Sequence, residues 1–120
     1  MRFQGSTDLN PQVLVIGATQ GTGCQVARRL VREGYRVRAL ARNEAKARRK
    51  LSSPVEVVVG DITKADSLPD AVKGVDHIIF TAGVTQRPAR ERLIIATEYD
   101  GVKNTIAAAR NTGFNGRFLT

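Results

Sequence analysis

The sequence predicts an α/β fold in three layers, a parallel sheet covered by helices on both faces, and three observations predict it. Short, continuous, β-branched runs recur along the chain, as in Val13-Leu14-Val15-Ile16, which suits strands buried on both faces better than alternating surface strands. Stretches with helical spacing separate these runs. Three of those stretches end at a glycine followed at once by strand-like residues: Gly34 before Tyr35-Arg36-Val37, Gly74 before Val75-Asp76-His77-Ile78, and Gly113 before Phe114. Glycine just past a helix relaxes the left-handed closing residue, so the punctuation reads as repeated βαβ units.

Each element follows in order. Residues 1–11 are polar and end in Asn10-Pro11, a flexible leader before a single domain at 12–120. Strand one begins at Gln12 and covers Val13 to Ile16. The next segment, Gly17-Ala18-Thr19-Gln20-Gly21-Thr22-Gly23, is a tight turn, and a helix is expected from Cys24 to Glu33. Further strands are expected at Tyr35 to Ala41, Val55 to Val59 and His77 to Phe80, with a fifth starting at Arg117-Phe118-Leu119. The longest helix is expected over about Pro88 to Asn111, with Ile95, Tyr99, Val102, Ile106 and Ala109 as one buried stripe at steps of four and three.

Composition narrows the classes. A chain of 120 residues, 42% hydrophobic and 25% charged, supports one packed domain and is too apolar for disorder. A lone cysteine, Cys24, and a lone histidine, His77, argue against an internal disulfide and a clustered zinc site. No apolar run reaches the roughly 20 residues of a membrane span, and the first twelve residues lack the apolar core of a signal peptide. The expectation is a cytoplasmic protein with no membrane partner. Its net charge of +8 is local: residues 28–50 hold ten basic residues against Glu33 and Glu44, and the remaining 97 residues carry nine of each sign.

The glycine turn carries the first chemical signal. A parallel strand that runs into a tight turn aims the next helix's free N–H groups and positive dipole end at an anion. Gly17 would make the turn, Gly21 would face phosphates, and Gly23 would let the helix pack closely on the sheet, with Thr19 and Thr22 adding hydroxyl hydrogen bonds. The spacing Gly-x-x-x-Gly-x-Gly differs from the Gly-x-Gly-x-x-Gly fingerprint, and no Gly-Lys-Ser/Thr follows. The second signal lies at the end of strand two. Where NAD-preferring folds place an acid for the ribose 2′-hydroxyl, this chain has Ala41-Arg42-Asn43. A carboxylate would repel a 2′-phosphate, whereas a guanidinium can bond it, often bidentately, so NADP(H) is expected over NAD(H), with Arg42 as its reader, or Arg42 is a solvated residue capping the strand end. After strand three, Asp61 can accept from an adenine amino group while Ile62 packs on the ring, or Asp61 can be a turn residue. After strand four, Thr81-Ala82-Gly83 offers a small-residue edge beneath the nicotinamide ribose, or an ordinary loop start.

Taken together, GATQGTG after VLVI, EGYRVRALARN, VEVVVGDITKADSL, KGVDHIIFTAG and YDGVKNTIAAARNTG resemble the atypical short-chain dehydrogenase/reductase superfamily, in its NAD(P)H-binding NmrA-like branch, which includes flavin reductases of the biliverdin reductase B type. The resemblance runs from about Gln12 to Leu119. It implies a Rossmann fold with strand order 3-2-1-4-5. It also implies that Thr19, Gln20 and Thr22 contact the diphosphate, Arg42 the 2′-phosphate, Asp61 and Ile62 the adenine, and Ala82 and Gly83 the nicotinamide side. The family's usual loop reads Gly-Ala-Thr-Gly-x-x-Gly, and Gln20-Gly21 departs from it. Family members continue beyond strand five into a serine, a Tyr-x-x-x-Lys pair and a substrate pocket; this chain stops as that strand begins, so no catalytic residue is assigned. A partner chain or self-association is expected to cover the open edge.

Two tempting features and the basic stretch complete the reading. Tyr99 and Lys103 have the Tyr-x-x-x-Lys spacing, but they precede strand five, and Tyr99 is expected to be a buried packing residue beside a surface lysine. By the resemblance, Asn104 is structural. Cys24, with no base or resolving cysteine nearby, is a small packing residue. In the basic stretch, Arg28, Arg29 and Arg32 form a solvated outer helix face with Arg29 able to pair with Glu33, while Arg42 and one of Lys46 or Arg48 can face the phosphate end. With only Tyr35 available for stacking, the stretch argues against nucleic acid. Two functions stay open: the cofactor half of an NADPH-dependent reductase acting on a small molecule, and a non-catalytic dinucleotide-binding regulator or assembly scaffold.

Overall fold

The computed structural model describes residues 10–82 and 99–120. Their strands form one five-stranded sheet in the order β3-β2-β1-β4-β5. The strands are β1 (Gln12–Ile16), β2 (Arg36–Ala41), β3 (Glu56–Val59), β4 (His77–Phe80) and β5 (Arg117–Leu119), and every pairing is parallel. The order is the one the resemblance implies. β1 lies at the centre with all five residues buried, which is why its apolar run is continuous.

Helices cover both faces. On one side α1 (Gly21–Arg32) and α2 (Glu44–Lys50) close a cluster that contains Val13, Val15, Val37, Ala39, Ala27 and Ala47. On the other, α3 (Pro69–Val72), preceded by a short 3-10 turn at Ala65–Ser67, and α4 (Gly101–Asn111) pack on Leu14, Ile16, Leu40, Ile78 and Phe80. The Phe80 and Phe118 rings stack with centroids 6.2 Å apart and tie β5 to β4. The three predicted closing glycines take positive φ: +93° at Gly34, +77° at Gly74 and +83° at Gly113. At Gly34 the chain reverses with Tyr35 N–H donating to the Leu30 carbonyl at 3.0 Å, and at Gly113 Phe114 N–H donates to the Ala109 carbonyl at 2.9 Å.

Two expectations about the helices need correction. The first helix begins at Gly21 rather than Cys24, because Gln20 is the extended residue before it and the Cys24 amide already donates to the Gln20 carbonyl. The stripe on the last helix is only partly the expected one: Ala109 is buried and Val102 packs partly buried against the core, but the other buried positions are Gly101, Thr105 and Ala108, and Tyr99 and Ile106 are 65% and 36% exposed. A Cβ on Gly101 would stand 2.7 Å from Ile62 Cδ1, so α4 approaches too closely for large side chains along that line. Tyr99 is therefore not a packing residue, and Ile95 lies outside the described residues. Of the predicted leader, residues 1–9 lie outside the described residues; Asn10 and Pro11 offer their carbonyls to the side chain and the amide of Arg36.

Candidate functional site

The C-terminal ends of β1, β2, β3 and β4 bring the predicted residues to one edge of the sheet. Between β1 and α1 the backbone folds back tightly at Gly17, φ +90°, where a Cβ would meet the Ala82 amide and Thr81 Oγ1, each at 2.7 Å. Gly23 faces the Gly17 carbonyl and Thr81 Oγ1 at a separation that no Cβ could occupy. Gly17 and Gly23 thus make the turn and the close helix packing as their spacing predicts. Thr81 Oγ1 donates to the Ile16 carbonyl at 2.7 Å and fastens the start of the β4 loop to the glycine turn. Gly21 takes φ +41° and has open space where a Cβ would be.

The start of α1 is suited to an anion. Gln20 gives no side-chain cap and the first turn holds no acidic residue, so its amides and the helix dipole face outward without a protein carboxylate to satisfy them. Thr19 is half-buried and Gln20 and Thr22 are exposed; among the described residues none of the three spends its side chain on an internal hydrogen bond. Such a turn can receive an anion: no atom lies within 4 Å of where a Gly21 Cβ would stand, and free helix amides favour negative charge.

At the end of β2, Arg42 is exposed and has no ion pair among the described residues. The next residue, Asn43, accepts the Lys46 amide at 3.0 Å and caps α2. Arg48 is not turned to the phosphate end: its Nη1 donates to the Val55 carbonyl at 2.7 Å, so of the two alternatives for a second cation only Lys46 is left without such a tie.

After β3 the chain passes Gly60, where a Cβ would meet Leu40 Cδ1 at 2.7 Å and the Ser67 carbonyl at 2.8 Å. Asp61 follows, and it is the turn residue, one of its two predicted roles. Its Oδ1 accepts the Thr63 amide at 2.8 Å and the Thr63 hydroxyl at 2.7 Å, a tight turn closed by its own side chain. Partial burial pushes the Asp61 carboxyl up, but the Thr63 bonds and the positive charges of Arg42 and Lys64 outweigh it and hold the group below its ordinary value of 3.8. Asp61 is an ionised acceptor whose Oδ2 makes no bond to a described residue. Its amide donates to Ser67 Oγ at 2.8 Å, and the Ser67 hydroxyl in turn faces the Lys64 carbonyl at 2.7 Å. Ile62 is half-buried against α4, and Asn104 Nδ2 donates to its carbonyl at 2.9 Å, the structural role expected of that asparagine.

Ala82 is half-buried beside the glycine turn, and Gly83 lies outside the described residues. Cys24 packs with Sγ 4.0 Å from the Lys50 carbonyl, and Arg29 pairs with Glu33 at 2.9 Å. The supporting residues Thr81, Ser67 and Asn43 escaped the sequence reading as holders of the site. Asn43 alone left a signal, an asparagine three residues before the amide it caps.

Comparison with known proteins agrees with this geometry. Residues 17–120 match a family described as NAD(P)H-binding. The chain is 37% identical over 98 residues to the Photosystem II assembly factor Ycf39 of Cyanophora paradoxa, covering 82% of this chain and 30% of that protein. To the NAD(P)H azoreductase of Xenophilus azovorans it is 33% identical over 96 residues, covering 78% of this chain and 34% of that protein. Thus it spans about a third of the length of these curated relatives. The solved structure of gox2253 superposes with a TM-score of 0.75 at 30% identity, covering 91% of this chain and 34% of that one. Pen from Bacillus thuringiensis, at a TM-score of 0.76 and 22% identity over 90% of this chain and 37% of its own, shares the fold. Among the described residues no helix is long and apolar enough to cross a membrane. With its glycine cradle, its strand order and 104 residues matched from Gly17 to Thr120, the chain belongs to the NAD(P)H-binding family of the short-chain dehydrogenase/reductase-type Rossmann superfamily.

Proposed function

We propose that this chain is the NADP(H)-binding domain of an atypical short-chain dehydrogenase/reductase of the NmrA-like branch, presenting NADPH for hydride transfer to a small-molecule acceptor. The observation that carries the cofactor choice is Arg42, an exposed guanidinium at the end of β2 where an NAD-preferring site needs an acid. In this reading Gly17, Gly21 and Gly23 shape the diphosphate cradle, Thr19, Gln20 and Thr22 line it, and Asp61 with Ile62 receives the adenine. Ala82 and Gly83 border the nicotinamide. A cytoplasmic site of action, and a partner segment over the β5 edge, are parts of the same proposal.

Calorimetric titration tests it. NADPH should bind the wild type more tightly than NADH, and Arg42→Ala should weaken NADPH by about tenfold to a hundredfold, the worth of a charge-assisted contact, while leaving NADH unchanged. Equal affinities in the wild type would remove the 2′-phosphate assignment.

A second reading has its own support in the 37% identity to a protein named as an assembly factor: the domain binds the dinucleotide as a regulator or scaffold and does not turn it over. NADPH oxidation by the protein, measured with flavin, quinone and azo acceptors, separates the two. Turnover favours the reductase; stoichiometric binding without turnover favours the scaffold.

A further inference from the structure

The positive charge of residues 28–50 exceeds what a cofactor requires, since the proposed site uses Arg42 and at most one more cation. Folding sorts the remainder. Arg36 and Arg38 hold backbone carbonyls at the lower ends of the strands, Arg29 pairs with Glu33, and Arg48 holds the Val55 carbonyl. Arg28, Arg32, Arg49 and Lys50 are left, with Lys46, the second cation open to the cofactor's phosphate end, beside them; all five are exposed and without an ion pair among the described residues.

Helical spacing and packing put these five on one surface. α1 and α2 cover the same face of the sheet, with Ala27 and Ala47 buried in one cluster. In α2, Lys46 is followed at three and four positions by Arg49 and Lys50 while Ala47 turns inward. In α1, Cys24, Arg28 and Arg32 follow one another at four-residue steps, and Cys24 Sγ lies 4.0 Å from the Lys50 carbonyl. The row on α1 therefore starts beside the last turn of α2, and the two rows join into one cationic face.

We infer that this α1–α2 face adheres to an anionic lipid surface. Three kinds of partner answer to positive charge, and the face is built for one of them. A nucleic acid needs a docking element or aromatic stacking, yet α1 lies flat on the sheet, α2 has seven residues, and the neighbouring aromatic is Tyr35 alone among the described residues. A protein partner needs desolvated apolar or aromatic anchors, and the exposed large apolar side chains other than Tyr35 belong to β3, α4 with the residues just before it, and β5. A bilayer surface requires only several long cationic side chains in one plane; clusters of about four to eight Lys and Arg bind anionic headgroups. The expectation of no membrane partner rested on the absence of an apolar span, which does not bear on a charged surface. The inference stands apart from the cofactor assignment.

Co-sedimentation with phosphatidylcholine vesicles, with and without phosphatidylglycerol, tests it. Binding is expected to the anionic vesicles alone and should fall at least about tenfold between about 50 and about 300 mM salt. The quadruple substitution Arg28→Gln, Arg32→Gln, Arg49→Gln, Lys50→Gln should abolish it, and the double substitution Arg28→Gln, Arg49→Gln should weaken it. A charge-matched control outside this face, Lys73→Gln, Lys103→Gln, Arg110→Gln, Arg117→Gln, should retain it. Circular dichroism of each variant reports that the fold persists. Equal losses in the quadruple substitution and the control would overturn the inference, because net charge and not this face would then decide binding. Indifference to vesicles, with labelled RNA or duplex DNA retained through the same residues, would overturn it in favour of a nucleic acid.

Discussion

The two ends of the parallel sheet use similar polar residues to opposite effect. At the N-terminal end, Arg38, only 12% exposed in its side chain, donates Nε to Glu56 at 2.9 Å and Nη1 to the Ala71 and Lys73 carbonyls at 2.8 and 2.7 Å. Gln12 Nε2 joins Glu56 at 3.1 Å, and the Gln12 amide donates to Asp76 at 2.8 Å. Protein groups answer one another there, and the last turn of α3 has its carbonyls capped by a guanidinium. At the C-terminal end, among the described residues, Arg42 has no such partners, one Asp61 carboxylate oxygen makes no bond, and no side chain caps the first amides of α1. A closed network gives stability; an open one leaves donors and acceptors for a ligand, and strand C-termini are where ligands bind in sheets of this kind.

The contrast is broken most severely by removing its closed half. Arg38→Ala strips the α3 carbonyls and Glu56 of their donor and should lower unfolding free energy by about 3 kcal/mol in urea titrations, while the molecules that stay folded still bind NADPH. Next in size is Gly23→Ala. Its Cβ would be forced onto the Gly17 carbonyl, a backbone atom that cannot swing aside, so we expect about 2 kcal/mol of destabilisation together with loss of dinucleotide binding, read by thermal melts and NADPH fluorescence. Arg42→Ala sharpens the contrast from the other side: stability should change by less than about 0.5 kcal/mol, so its whole effect falls on NADPH affinity.

The smallest effect is in the pH dependence. The folded state holds the Asp61 carboxyl below its ordinary value of 3.8, so its contribution to stability is fully present above that value and is lost as pH falls through the lower folded one. Asp61→Asn should therefore flatten the acid end of the stability curve, measured from pH 2 to about 6, and leave the neutral limb parallel to wild type.

Much of this was legible in the sequence because backbone chemistry demanded it. Left-handed closure required Gly34, Gly74 and Gly113, close helix approach required Gly23, and burial on both faces required the unbroken Val13 to Ile16 run. The same logic failed on α4. Large apolar residues at helical steps suggested an inward stripe, but the helix comes so near Ile62 that the fully buried positions are Gly101, Thr105, Ala108 and Ala109, with Val102 partly buried beside them. Periodicity records which residues share a line, not how near the neighbouring element stands.

Sequence alone determined the βαβ alternation, the glycine turn after β1 and the basic residue at the end of β2, since each follows from local conformational limits or from charge at a single position. Tertiary structure decided the rest. It spent Arg38 and Arg48 on backbone carbonyls while giving Arg42 no ion pair among the described residues, fastened the β4 loop through Thr81 to Ile16, and joined α1 to α2 so that separate cations became one face. The reason is that an arginine's role depends on which carbonyls and carboxylates the fold brings within about 3 Å of it, and for Arg38 those carbonyls lie 33 and 35 residues away along the chain.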